Sequence, residues 1–177
     1  MGDVALRLAT AADVDAIARL HVDSWRRNYR GLYSDAFLDG DVLVDRLAVW
    51  GDRLTASPSN RFTIVANVDG GVAGFVHIIL DDDPTWGAVV QNLHVRYDLH
   101  GLGIGSRLMA EAARTLLERR SSSGLFVWVR EQNTAARAFY EACGGVRAGD
   151  KLGGPFPDGG RAPVLRYAWP DPSTLLP

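Results

Sequence analysis

Cysteine is almost absent from this chain of 177 residues, because Cys143 is its only one. A single cysteine excludes an internal disulfide and fits a reducing compartment, so we expect a cytoplasmic protein. Long apolar runs are also lacking, since none approaches the roughly 20 residues that span a bilayer. No cationic stretch followed by an apolar one precedes Leu8, so no secretory signal is expected. These absences predict a protein with no membrane partner.

An excess of charge of one sign is missing too. The formal net charge is −2, which argues against electrostatic capture of nucleic acid. Lys151 is the only lysine, and this preference for arginine is typical of a GC-rich genome and indicates no function. What is present is a hydrophobic fraction of 47%, an ordinary globular value. The length suits one domain, which we predict over residues 1–177 with a core at about 4–169.

Apolar periodicity predicts the order strand, two helices, three strands, helix, strand, helix and two strands. The early strands are joined by short turns such as Asp69-Gly70 and should be antiparallel. The later strands alternate with helices and should include a parallel pair. We therefore expect an α/β (α+β) fold with a mixed, mainly antiparallel central sheet of about six or seven strands and helices on both faces. The strands are predicted at 4–8, 62–68, 72–80, 86–95, 125–129, 146–152 and 162–169, and the helices at 14–29, 35–53, 104–116 and 134–143.

A glycine-rich turn connects the third of the middle strands to the next helix. Its sequence is His100-Gly101-Leu102-Gly103-Ile104-Gly105-Ser106. Glycine lets backbone N–H groups approach a ligand closely, and the positive end of a helix attracts an anion. The turn therefore predicts a pyrophosphate site, although a turn that only reverses the chain is the alternative. A Walker A loop would need a lysine, and the dinucleotide fingerprint would need glycine where Ser106 stands.

Two motifs in the same order resemble those of the GNAT superfamily of N-acetyltransferases. His100-x-x-Gly103-x-Gly105 is similar to motif A, with His100 in place of the usual arginine or glutamine. Downstream, the motif B pattern is similar to a run that begins at Asn133, continues through Ala136, Phe139 and Tyr140, and ends at Gly144. The likeness covers about residues 4–169. It implies a GNAT-like fold and acetyl-coenzyme A as co-substrate.

The resemblance also implies the partners and the roles of single residues. The acceptor would be an amine-bearing small molecule or polypeptide, and a homodimer is possible. Tyr140 would be the general acid that protonates the leaving thiolate, and the N–H of Val95 would polarise the thioester carbonyl. Asn133 would contact the coenzyme, or it simply starts a helix. The implied coenzyme-binding residues are Leu93, His94, Val95, His100, Gly101, Leu102, Gly103, Ile104, Gly105, Ser106, Asn133, Ala136, Phe139 and Tyr140.

The general base departs from the family pattern. Many relatives place a glutamate four residues before the Leu93 position, where this chain has Val89. His94 on the same strand and His77 on the predicted neighbour are the candidates, because histidine titrates near neutral pH. A water relay or an amine that arrives deprotonated remains equally open. Two histidines alone do not indicate a metal site, and we expect no metal.

The acceptor site and the overall activity each leave alternatives. Trp25, Tyr29 and Tyr33 line the acceptor pocket or pack in the core. The missing glutamate keeps open a non-catalytic acyl-coenzyme A sensor beside the leading prediction, an N-acetyltransferase in which a primary amine attacks the thioester directly. The lack of a phosphate-loop lysine argues against a kinase.

Overall fold

The computed structural model describes residues 3–56, 59–119 and 124–177. No helix within these stretches is both long and apolar enough to cross a membrane. The described helices are α1 (Val14–Asn28), α2 (Asp35–Asp39), α3 (Val42–Thr55), α4 (Ile104–Arg119) and α5 (Thr134–Ala142). The described strands are β1 (Ala5–Leu8), β2 (Arg61–Val68), β3 (Gly71–Asp83), β4 (Gly87–Val95), β5 (Leu125–Arg130), β6 (Val146–Gly153) and β7 (Ala162–Trp169).

The strands form one seven-stranded sheet in the order β1-β2-β3-β4-β5-β7-β6. Strand β1 is antiparallel to β2, β4 is parallel to β5, and β7 is antiparallel to both β5 and β6. The mixed, mainly antiparallel sheet predicted from the sequence is therefore confirmed, as is its parallel pair. Contacts divide the chain into two compact units, residues 1–77 with 92–108 and residues 78–91 with 109–177. One domain over residues 1–177 stays a prediction.

In the first unit, helices cover both faces of β3. Ile17 of α1 and Trp50 of α3 join a buried cluster with Phe75 of β3. The adjacent Gly74 faces the other way, because a Cβ added there would lie 3.1 Å from a methyl carbon of Leu108 in α4. Successive residues of a strand point to opposite faces, so α1 and α3 lie on one side of β3 and the start of α4 on the other.

The second unit is organised around the parallel pair β4–β5. Val89 and Phe126 form a buried cluster there with Ala168 of β7. The pair begins where two glycines approach closely: the Ala88 N–H donates to the Gly124 carbonyl oxygen at 3.0 Å. Gly87 has a φ of +82°, and a Cβ added to it would lie 2.3 Å from that same oxygen. Only glycine therefore fits at residue 87 without moving the backbone.

Two sequence predictions of element boundaries were wrong. The single helix expected over 35–53 is two helices, because α2 ends at Gly40 and α3 begins after Asp41. The strand expected to end at Leu80 continues to Asp83. The side chains of Asp81 and the next residue are exposed, so the strand leaves the buried layer before it ends.

Two histidines are fully buried in the first unit. Burial and, to a smaller extent, the charges of Arg53 and Arg61 together lower the pKa of His77 from 6.5 to about 3. Burial also lowers the pKa of His21 well below its ordinary value. Both rings are therefore neutral in the folded protein across the physiological range.

These pKa shifts predict acid sensitivity. The unfolded chain binds protons at its histidines below about pH 6.5, whereas the folded chain does not, so the free energy of unfolding should fall as pH drops from about 6.5 toward 4. Urea unfolding at several pH values would measure this. A free energy of unfolding that stays constant from pH 7 to 4 would contradict the neutral state of the buried histidines.

The close approach at Gly87 predicts a substitution effect that strain alone does not explain. Gly87→Ala should cost about 1–2 kcal/mol for the left-handed backbone and a further 1–3 kcal/mol or so for the overlap with Gly124. Gly70→Ala is the matched control, because Gly70 has a φ of +81° but nothing within 4 Å of an added Cβ. Urea unfolding should show the larger loss for Gly87→Ala, and equal losses would refute the overlap.

Candidate active site

The glycine-rich turn leads directly into the first turn of α4. Gly101 and Gly103 both have a φ of +77°, and a Cβ added to either would meet nothing within 4 Å. The Arg107 N–H donates to the Gly103 carbonyl oxygen at 3.0 Å. The amides of Ile104 and Gly105 precede this bond, so they have no acceptor within the helix. The turn therefore offers open space beside backbone donors, which fits a diphosphate group.

His100 has a loop-closing contact in this structure. Its Nε2 lies 2.9 Å from the carbonyl oxygen of Val95, at the end of β4. A carbonyl only accepts, so the His100 Nε2–H is the donor. The residue that replaces the arginine or glutamine of motif A therefore ties the turn to the strand before it.

The last residues of β4 present their side chains to opposite sides of the sheet. Val95 lies on the α4 side, because its Cγ2 is 3.2 Å from a Cβ added at Gly74. His94 lies on the α1 side, where its Nδ1 is 2.7 Å from Ser24 Oγ. The His94 ring is also 4.6 Å from the His21 ring, centroid to centroid.

His94 is neutral at physiological pH. The surrounding protein removes water from the His94 ring and thereby lowers its pKa from 6.5 to about 4. Part of the residue stays exposed, because His94 is half-buried. Beneath it, the Trp50 Nε1–H donates to His21 Nδ1 at 3.0 Å. The sequence alone gave neither His21 nor Ser24 a place in the site. No local pattern distinguishes these two residues, because their partner lies far along the chain.

The second base candidate from the sequence, His77, has different surroundings. It is fully buried, its Nδ1 lies 2.7 Å from Thr63 Oγ1, and its ring is 5.5 Å from the Trp50 ring. The His77 ring therefore has no exposed surface in this structure. Of the two candidates, His94 alone keeps exposed surface.

Ala136, Phe139 and Tyr140 of motif B lie on α5. Asn133 is the N-cap, where its Oδ1 accepts from the Ala136 N–H at 3.1 Å. Asn133 therefore starts the helix, which is one of the two roles that the sequence left open for it. The other role, contact with the coenzyme, stays a prediction. Tyr140 is buried, with its ring 5.1 Å from Phe139 and 6.0 Å from Trp169.

Val89 and the aromatic row of Trp25, Tyr29 and Tyr33 pack against their neighbours. Val89, at the glutamate position of many relatives, is 7% exposed and belongs to the core of the second unit. Trp25 and Tyr33 are buried, and their ring centroids are 5.0 Å apart. The Arg46 guanidinium carbon lies over Trp25, 4.6 Å from the ring centroid. Tyr29, half-buried, stacks on Tyr33 at 5.3 Å. Packing therefore occupies most of this aromatic row.

Comparisons with known proteins agree with this geometry. The model of the acetyltransferase (GNAT) family matches residues 14–145. The chain is 30% identical over 176 residues to an uncharacterised N-acetyltransferase, YuaI, of Bacillus subtilis (strain 168), and the match covers 97% of this chain and 96% of that one.

Two solved structures show the same fold. The PaiA N-acetyltransferase of Thermoplasma acidophilum in complex with coenzyme A superposes with a TM-score of 0.72 at 16% identity, over 94% of this chain and 99% of that one. A ribosomal-protein-alanine N-acetyltransferase from Brucella melitensis gives 0.68 at 21% identity, over 93% and 98%. This chain therefore belongs to the GNAT family of acetyltransferases.

Proposed function

We propose that this acetyltransferase transfers the acetyl group of acetyl-coenzyme A to a primary amine of a small molecule or a polypeptide in the cytoplasm. The observation that carries the proposal is the turn before α4, where Gly101 and Gly103 leave open space beside the backbone amides. The location is supported by the single cysteine. A homodimer stays a prediction.

The coenzyme end of the reaction depends on main-chain groups. We assign the diphosphate to the amides at the start of α4, because these donors and the helix dipole both favour an anion. By resemblance to the family, the backbone at Leu93 to Val95 pairs with the pantetheine arm as an added strand would. The Val95 N–H then polarises the thioester carbonyl.

The amine must lose a proton before it attacks. We assign this proton to His94 rather than His77, because His94 keeps exposed surface and is neutral at pH 7. An alkylammonium ion gives one proton to the His94 ring and becomes a nucleophilic amine. Its lone pair then forms the C–N bond with the thioester carbon.

The thiol must leave with a proton. When the C–S bond breaks, the sulfur takes both electrons, and Tyr140 gives its phenolic proton to the thiolate. The amide nitrogen loses its extra proton, which restores the phenol. The products are the acetylated amine, free coenzyme A and one proton that leaves from His94, so atoms and charge balance. The role of Tyr140 is carried over from its match to motif B.

The open space at Gly103 predicts a binding defect with little effect on folding. Gly103→Ala should raise the Kd of coenzyme A at least about tenfold by placing a methyl group where the diphosphate approaches, while backbone strain costs about 1–2 kcal/mol. Gly70→Ala is the control, because its strain is similar and it lies in the β2–β3 turn. At 100 times Kd, coenzyme A should stabilise the wild type by about 2.7 kcal/mol.

Thermal unfolding with and without coenzyme A measures this difference. A Gly103→Ala variant that coenzyme A stabilises as strongly as the wild type would show that the diphosphate binds elsewhere.

Removal of the Tyr140 hydroxyl tests the reaction itself. Thiol release from acetyl-coenzyme A would be followed with spermidine, tyramine and an alanine-initiated peptide as acceptors. Wild type should release thiol with at least one of them, and Tyr140→Phe should lower kcat roughly 100-fold, because a general acid contributes on that order.

Tyr167→Phe is the matched control for this variant. Tyr167 is also buried and donates to a Glu141 carboxylate oxygen at 2.6 Å, so the substitution removes a buried phenol hydroxyl that the reaction does not use. It should keep the wild-type kcat. A Tyr140→Phe enzyme with full turnover would exclude the acid role, and a wild type that binds coenzyme A but acetylates no amine in a broad panel would refute the transfer.

A further inference from the structure

We propose that Ser24 is a positioning residue of this enzyme, which holds His94 with a proton on Nδ1 and leaves Nε2 bare to take the proton of the acceptor amine. This inference rests on the proposed function, in which His94 is the base. Nothing in the motifs of the family points to residue 24. The contact joins α1 to the end of β4, and the two residues are 70 positions apart in the sequence.

The geometry determines which ring nitrogen can serve the substrate. His94 Nδ1 is engaged by Ser24 Oγ at 2.7 Å, a normal hydrogen-bond length. Neutral imidazole has one N–H and one bare nitrogen. If Nδ1–H donates to the serine oxygen, Nε2 is the bare nitrogen and can accept a proton.

A hydroxyl is well suited to a ring that changes its protonation state. Once His94 has accepted a proton, both of its nitrogens carry hydrogen, and Nδ1–H then needs an acceptor. Ser24 Oγ supplies it before and after the transfer, with no rearrangement. Asn28 Nδ2 donates to the Ser24 carbonyl oxygen at 2.9 Å and lies 3.4 Å from Ser24 Oγ, which keeps the serine region of α1 ordered.

The neighbouring histidine keeps the His94 environment free of a second charge. The Trp50 indole only donates, so His21 Nδ1 is an acceptor and the His21 proton is on Nε2. Burial, His94, Arg46 and Arg53 all lower the pKa of His21. His94 therefore accepts its proton beside a neutral ring. The Phe75 ring of β3 also lies beside His94, with 5.3 Å between the two ring centroids, and it carries no charge.

The proton tautomer of His94 provides a test that needs no acceptor substrate. Nitrogen-15 NMR of the imidazole rings, with His94 assigned from a His94→Gln spectrum, reports which nitrogen carries hydrogen. We expect the Nδ1–H form in the wild type and in Ser24→Thr, which keeps the hydroxyl. Ser24→Ala should shift the ring toward Nε2–H and lower its pKa, because the imidazolium loses an acceptor. Alanine is the better helix former, so α1 should persist.

The kinetic test asks whether Ser24 acts through His94. With acetyl-coenzyme A and whichever of the three amines turns over fastest, Ser24→Ala should lower kcat roughly 10- to 100-fold, the fold-change for a hydrogen bond to a charged group. The KM for acetyl-coenzyme A should not change, and Ser24→Thr should restore turnover. In a His94→Gln background, Ser24→Ala should have almost no further effect.

Each result bears on a different part of the inference. An Nε2–H tautomer in the wild type, or a Ser24→Ala loss that is equally large in the His94→Gln background, would overturn it. A wild type with no amine acetylation would refute the proposed function, and the tautomer measurement would still decide whether Ser24 orients His94.

Discussion

Uncovered backbone amides at the start of α4 are the constraint on which the rest of the site depends. A diphosphate can approach these donors only if no side chain stands in front of them, and the chain meets this need with Gly101 and Gly103 in left-handed conformations. The His100 side chain bonds the Val95 carbonyl oxygen at the end of β4. This hydrogen bond joins the turn before α4 to the end of β4. At Gly101 and Gly103 the turn exposes main-chain atoms and no side chains.

The side chains of neighbouring residues at the end of β4 point to opposite faces of the sheet, and only one of them has a proposed chemical role. Val95 faces α4 and its neighbour Gly74, while His94 faces α1 and meets Ser24 and His21. A shift of one residue in this strand would exchange the two faces and remove the histidine from its partners. The position of His94, the proposed base, therefore depends on the register of the strand as much as on the identity of the residue.

Family membership and site chemistry are different questions in this chain. The family match over residues 14–145 shows the acetyltransferase family, and the glycine turn and motif B lie within that match. At the glutamate position of many relatives this chain has Val89, and that side chain packs in the core with Phe126. In the proposed mechanism the proton acceptor is therefore His94, which burial keeps neutral, rather than His77, which is enclosed between Thr63 and Trp50.

The sequence by itself determined the order of the strands and of the main helices, a mixed sheet of about six or seven strands that includes a parallel pair, and the glycine turn before α4. These features are local, since hydrophobic periodicity and the special backbone freedom of glycine act over a few residues. Only the tertiary structure decided that α2 and α3 are separate, that His77 is enclosed, and that Ser24 meets His94. The last contact joins residues 70 positions apart, and such pairings depend on how helices and strands pack, which no short pattern records.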